Sequence, residues 1–169
     1  METLEAIKTR RSIRRFKKQP ISRDMVRELL EAAMFAPSAG NEQPWQFIVL
    51  DDRKILDDVP KICSTAAMCR QAAVAILVCG DAGLEKYPEF WVQDCSAAVE
   101  NLLLAAHAMG LGAVWAGIYP LKDRVEGFRK LFSLSDNITP FALVPLGYPD
   151  QETIPQKRFR EERVHHNGW

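Results

Sequence analysis

The chain carries no excess charge of either sign: across 169 residues, 22 Lys and Arg balance 22 Asp and Glu. A protein that binds nucleic acid over its whole surface is normally basic, so that class is disfavoured. Sulfur and imidazole are also thinly supplied, with 4 cysteines and 3 histidines. Cys63, Cys69, Cys79 and Cys95 form no Cys-x-x-Cys pair and have no histidine at ligand spacing nearby, which argues against a zinc site or a disulfide framework. Cys79 closes an apolar run and Cys95 lies in an apolar helical stretch, so both read as small buried hydrophobes. His165 and His166 are adjacent on an extended tail, where neighbouring side chains point to opposite sides, and no metal is assigned. No apolar run approaches the ~18 residues a membrane span requires, and Met1-Glu2-Thr3-Leu4 opens without the apolar core of a signal peptide. The expectation is a cytoplasmic protein with no membrane partner. No internal repeat, low-complexity tract or linker divides the chain, and no Gly-x-Gly-x-x-Gly follows a strand.

What is present fits one domain over residues 1–169: 47% of residues are hydrophobic, enough to fill a core. Leu4 and Ile7 suggest a short first helix. Ser22 reads as the N-cap of a second, in which Val26, Leu29, Leu30 and Ala33 recur at helical spacing until Pro37 ends it after Ala36. A polar loop then leads to a strand at Trp45–Leu50. Ala73–Cys79 shows no polar alternation and reads as a strand covered on both faces. The longest helix runs from Phe90 to Met109, apolar almost all round and so central to the fold or to an oligomer interface, and Gly110 can end it. A strand at Ala113–Ile118, a helix at Leu121–Phe132 and a strand at Phe141–Leu146 follow. Pro145 predicts that the last strand is an edge or a terminating one. The fold class is α+β, a sheet with helices layered on it.

Three segments carry chemistry. In Arg10-Arg11-Ser12-Ile13-Arg14-Arg15-Phe16, guanidinium groups and a hydroxyl cluster where an anion could be gripped; Arg10, Ser12 and Arg14 can share a face if the chain turns out of a helix there. A solvated basic run or a nucleic-acid patch is as good a reading of this segment alone. A second basic group, Lys157, Arg158, Arg160 and Arg163, suggests that the two ends meet at one anionic ligand. The loop Pro37-Ser38-Ala39-Gly40-Asn41-Glu42-Gln43-Pro44-Trp45 holds small residues and two amides that can donate and accept, which suits the edge of a heteroaromatic ring; an ordinary capped loop would look similar. At the third, Trp115-Ala116-Gly117-Ile118, a strand end with Gly117 would let a ligand approach the backbone.

The order R-R-S-I-R-x-F, then A-P-S-A-G-N-x-Q-P-W-x-F, an Ala-rich helix ending M-G-L-G, W-x-G and a basic tail resembles the flavin-dependent nitroreductase family over nearly the whole chain. The resemblance implies a mainly antiparallel sheet flanked by helices, an intertwined homodimer and FMN at the dimer interface. It implies that Arg10, Arg11, Ser12 and Arg14 approach the FMN phosphate, joined by Lys157 or Arg158. Pro37, Ser38, Ala39, Asn41 and Gln43 of the opposite subunit would touch the ring and ribityl chain, and Trp115, Ala116 and Gly117 would lie along the ring. The segment between Asp81 and Glu89 is short compared with longer relatives, and Tyr87, Pro88, Phe90 and Trp91 are expected to form a small roof.

The resemblance further implies a ping-pong reaction in which NAD(P)H, bound transiently, reduces FMN and an electron-poor acceptor such as a nitroaromatic or quinone is then reduced. The flavin would carry the chemistry, with no catalytic side chain; His107 reads as a satisfied core or interface histidine rather than a proton donor. Two alternatives stand beside this: reductive dehalogenation or flavin fragmentation on the same scaffold, and an anion- or nucleic-acid-binding module without enzymatic activity.

Overall fold

The computed structural model describes residues 1–169. Ten regular elements follow one another: α1 (Thr3–Thr9), α2 (Arg23–Met34), β1 (Trp45–Leu50), α3 (Arg53–Ile62), β2 (Val74–Asp81), α4 (Trp91–Ala108), β3 (Gly112–Ala113), β4 (Ala116–Gly117), α5 (Lys122–Phe132) and β5 (Ile138–Gly147). The strands form one sheet in the order β1-β2-β5-β3, with β4 also on β5, and every pairing is antiparallel. No helix is long and apolar enough to cross a membrane.

Period-two alternation in the central strands divides the core into two layers. Val74, Ile76 and Val78 of β2 face α2 and α4, where they pack with Leu29, Ala33, Leu102 and Leu103. Ala75, Leu77 and Cys79 face α3 and α5, against Leu56, Val59 and Phe128. Both faces of β2 are therefore covered, as its unbroken apolar run predicts. All four cysteines are free and buried.

Local signals explain the helix ends. The Ser22 side chain accepts a hydrogen bond from the Met25 amide at 3.2 Å, capping α2. α4 ends in a Schellman motif: Gly110 has φ +76°, its N–H donates to His107 O at 3.0 Å, and the Leu111 N–H donates to Ala106 O at 2.8 Å. α3 was not anticipated, although Asp52 caps it at 2.7 Å and Ile55, Leu56, Val59 and Ile62 carry its apolar stripe. Pro60, within its last turn, masks the pattern.

Two strand expectations need correction. The Ala113–Ile118 segment is not continuous but splits into β3 and β4, both paired to β5. Pro145 does not mark an edge: β5 is interior, between β2 and the β3/β4 pair. The two corrections have one cause. The Leu146 carbonyl accepts from the Ala73 N–H on the β2 side, so alternation turns the nitrogen of Pro145 toward β3 and β4. There, Val114 and Trp115 leave the ladder, and the missing donor has no partner to disappoint.

Candidate functional site

Beyond α1 the chain runs extended and is laced to two other parts of the molecule. Ser12 bridges Ala113 in parallel, and the Ile13 N–H donates to Ala113 O at 2.9 Å. The Lys17 N–H donates to Tyr148 O and the Asp150 N–H to Arg15 O, each at 2.9 Å. Gln151 Oε1 accepts from the amides of Arg14 at 2.8 Å and Arg15 at 3.2 Å. The basic N-terminal segment and the C-terminal tail therefore do meet. Two glycines permit this: a Cβ on Gly112 would sit 2.6 Å from Ile13 Cγ2, and one on Gly147 would sit 2.8 Å from Phe16 Cβ. Ile13 and Phe16 are the buried anchors of the segment.

The arginines then take different roles. Ser12 and Arg14 lie on the same side of an extended chain. Arg10 places Nε 3.4 Å from a Glu100 carboxylate oxygen, and that buried Nε makes no hydrogen bond. Arg11 turns back on the backbone, with Nη1 donating to Lys8 O at 2.9 Å and Arg10 O at 2.7 Å and Nε donating to Ile154 O at 3.3 Å. Its role in one chain is to bind the start of the segment to the tail. Lys157 and Arg158 follow that contact and are exposed.

The strand end adjoins this segment, because β3 both pairs with β5 and bridges Ser12. Trp115 is exposed and packs edge-on to Phe141 with ring centroids 5.5 Å apart. Gly117 faces Ala142 in a pair flanked by the Ile118 N–H donating to Phe141 O at 3.1 Å. The Gly117 N–H and C=O consequently point away from β5. Arg124 Nη1 takes the carbonyl at 2.6 Å, and a Cβ on Gly117 would meet nothing within 4 Å. A strand-end residue whose N–H turns away from the ladder thus has an open Cβ side.

The Pro37–Pro44 loop is tightly wound. Gly40, Asn41 and Gln43 all have left-handed backbones, with φ of +51°, +54° and +48°. Such conformations persist in non-glycine residues only where their surroundings impose them. Here Ser38 Oγ accepts from the Gln43 N–H at 3.0 Å, and Gln43 Nε2 donates to Asn41 Oδ1 at 2.9 Å. The Ala39 N–H donates to Asp94 Oδ1 at 3.0 Å, tying the loop to the first turn of α4. Glu42 Oε2 accepts from the amides of Lys86 at 2.6 Å and Tyr87 at 3.0 Å, tying it to the 82–90 segment. Gly40 accommodates the Tyr87 ring, which a Cβ would approach to 2.4 Å. Of the expected roof, Tyr87 and Phe90 stand edge to face at 6.5 Å, while Trp91 packs against Tyr119 and Phe141.

Glu42 and Asp94, only 6% and 4% exposed, are neighbours, and Glu42 Oε1 and Asp94 Oδ2 are buried without any hydrogen-bond partner. For Asp94, burial is the largest influence and, with the neighbouring Glu42 carboxyl and the charge of Glu85, pushes its pKa above the ordinary value despite the Ala39 amide. Burial acts the same way on Glu42. There, however, the Lys86 and Tyr87 amides, the neighbouring Asp94 and the Lys86 charge outweigh it and lower the pKa. Sequence reading missed this pair, as it missed Gln151 and Arg124. The partners lie far apart in the chain, and no local pattern joins them.

His107 is satisfied, as anticipated: its Nε2 lies 2.8 Å from Thr9 Oγ1. The Thr9 hydroxyl proton goes to Glu5 O at 2.6 Å, so Nε2 is the donor to Thr9. Burial first, then the charges of Arg10 and Arg11, hold His107 below its usual pKa against the pull of Glu5.

Within one chain the structure brings together the basic segment, the tail and the strand end, and separately the loop and roof. α4 measures the gap, since Arg10 meets it at Glu100 and the loop meets it at Asp94. Six residues of helix correspond to about 9 Å along the axis. No hydrogen bond joins the two halves. A cleft of about 920 Å³ lies between Lys17–Ile21 and Arg53 and contains none of the predicted site residues.

Comparison with known proteins gives a consistent result. The Nitroreductase family pattern matches residues 7–68 and 61–148. A Methanothermobacter thermautotrophicus protein provisionally named NADH dehydrogenase/NAD(P)H nitroreductase is 50% identical over 169 residues, covering 100% of this chain and 88% of that one. A crystal structure under the same provisional name from Parabacteroides distasonis superposes with a TM-score of 0.94 at 44% identity, covering 99% and 98% of the two chains. A provisionally named nitroreductase from Desulfovibrio desulfuricans, solved in complex with FMN, gives a TM-score of 0.89 at 32% identity, covering 100% and 98%. With its motif order, its antiparallel sheet and these matches along nearly its whole length, the chain belongs to the nitroreductase family.

Proposed function

We propose that the protein is an FMN-dependent NAD(P)H oxidoreductase, working as a cytoplasmic homodimer, that reduces small electron-poor acceptors such as nitroaromatics or quinones in a ping-pong sequence. The observation that carries this reading is Gly117, whose amide turns away from β5 and whose Cβ side is open, on the sheet edge that Ala113 joins to the Ser12 segment. The residues present fit a flavin nucleotide: small side chains and a free donor where a ring would lie, and cationic groups with a hydroxyl where its phosphate would end. The NAD(P)H- and FMN-bearing names of the relatives support the same conclusion.

When bound, the flavin supplies the hydride and electron chemistry. The chain positions it and tunes its charge. Arg10, Ser12 and Arg14 would grip the phosphate, with Arg11 ordering the segment and Lys157 or Arg158 arriving from the tail. Trp115, Ala116 and Gly117 would line the ring, and basic groups and amides nearby would favour its anionic reduced form. Pro37, Ser38, Ala39, Asn41 and Gln43 would be contributed by a second copy, which accounts for two half-sites displaced along α4. The exposed apolar groups Leu4, Ile7, Phe35 and Phe159 supply surface for that association.

The purified protein is expected to be yellow and to release FMN on denaturation. Anaerobic stopped-flow mixing with NADH and with NADPH should bleach the bound flavin, and a quinone should restore it in a separate half-reaction. Colourless protein that takes up no added FMN would overturn the proposal, as would bound flavin that neither nucleotide reduces.

A further inference from the structure

The buried acid pair has no place in the flavin chemistry, yet it sits where three elements cross. Asp94 belongs to the first turn of α4, Glu42 to the strained loop, and the amides of Lys86 and Tyr87 to the roof segment. One oxygen of each carboxyl accepts from backbone N–H groups. The other oxygen of each is buried and has no hydrogen-bond partner. Two neighbouring buried carboxylates disfavour each other's ionisation, whereas one proton shared between them would satisfy both orphaned oxygens. We propose that Glu42 and Asp94 share a proton and act as a positioning pair, fastening the Ser38–Gln43 loop and the 82–90 segment to α4 until that proton is lost.

The surrounding charges favour this state. Lys86 faces Glu42 and sends Nζ to within 3.4 Å of Gly40 O, so the pair's single negative charge rests on Glu42. Glu85 faces Asp94 and disfavours a second negative charge. Tyr87 contributes its amide and its ring, and α4 adds only the buried Cys95 thiol beside Asp94. Because the native pKa of Asp94 is raised, the contribution is complete below the ordinary value of 3.8 and disappears as pH rises through the native value. Loss of the proton places like charges together and releases the restraint on the left-handed loop. That this loop touches the flavin rests on the function proposed above; the sharing of the proton does not.

The test reads the two independently. In flavin-free protein, the amide proton resonances of Ala39, Lys86 and Tyr87 should shift together in one step with a midpoint above 3.8. In Asp94→Asn, the amide nitrogen donates to Glu42 while its oxygen keeps the Ala39 N–H, so the step vanishes with the fold intact. Glu42→Gln behaves likewise, its oxygen keeping the Lys86 and Tyr87 amides and its nitrogen donating to Asp94. In E42Q/D94N two NH2 groups face each other, and protection of the three amides should be lost.

FMN affinity should follow the same order. Wild-type Kd should rise about tenfold for each pH unit by which flavin binding shifts the shared proton's pKa. Each single variant should stay within about threefold of the acid-side value across the range, and the double variant should bind worse than either. Absence of the common step in the wild type would overturn the proposal, as would a double variant as well protected as the singles. Should the double variant fail to fold, the two single variants still decide it. If the resonances behave as stated but no FMN binds, the acid pair stands and the flavin reading falls.

Discussion

Gly112→Ala should dislodge the basic segment without touching any ligand. The added carbon would lie 2.6, 2.7 and 3.0 Å from Cγ2, Cβ and Cγ1 of Ile13, where ordinary contacts are about 3.5–4.0 Å. Ile13 cannot yield by rotation alone, because its Cβ is among the atoms struck and its backbone N–H is bonded to Ala113 O. The segment from Arg11 to Phe16 must therefore move away from β3 by roughly 1 Å. Overpacking of this kind costs about 1–3 kcal/mol, and in a domain of this size each kcal/mol lowers Tm by about 2–4 °C. A fall of about 2–12 °C by calorimetry of the flavin-free protein is expected, with FMN affinity reduced at least severalfold as the phosphate groups are displaced. Ile13→Ala should partly cancel the effect, so that the double variant is less destabilised than the sum of the two single changes. Gly117→Ala is the counterpart: its methyl enters open space, so Tm should hold while FMN binding weakens. Unchanged Tm and affinity in Gly112→Ala would refute the argument from close packing.

Arg14→Ala should weaken FMN binding about tenfold or more, the equivalent of one charge-assisted hydrogen bond, as read by titrating flavin-free protein. His107→Gln should keep most quinone turnover at matched flavin occupancy; a loss above ~100-fold would reveal a general acid. Because the native pKa of His107 is depressed, its contribution to stability is present above 6.5 and lost as pH falls through the native value. Wild type should therefore lose more Tm than His107→Gln between pH 7.5 and the acid side of that transition. Burial pushes the thiols of Cys69 and Cys79 up to about 12 and raises Cys95 still further, so an aromatic disulfide reagent should label the native protein only as fast as it unfolds. Rapid labelling of any of the three at neutral pH would contradict that.

The parts legible in the sequence were those whose signals are local or periodic. The Ser22 cap, the unbroken apolar run of β2, the Gly110 stop and the cluster around Ser12 each follow from a few adjacent residues. What escaped depends on pairings between distant positions. Whether Pro145 is tolerable inside a sheet is decided by where Val114 and Trp115 leave the ladder, not by the proline itself. Arg11 looks like a phosphate ligand until the tail offers it the Ile154 carbonyl. Glu42 occupies the unspecified place in its motif, and Asp94 lies in an otherwise apolar helix; only the fold reveals that they are buried neighbours.

The prolines of β5 bear on how the sheet avoids mispairing. Residues Phe141–Leu146 are an almost wholly apolar strand, the kind of segment that pairs with copies of itself when transiently exposed. Pro145 allows only a register in which its nitrogen faces the interrupted side, since a shift by one residue would turn it toward β2 and remove a ladder bond. Pro140, opposite Cys79 beside the bulge, imposes a second such condition at the other end. Shifts of β5 against β2 by an odd number of residues are thereby penalised, and two missing donors leave the strand poorly suited to stacking on another β5, so the prolines are expected to work as gatekeepers within the core strand itself.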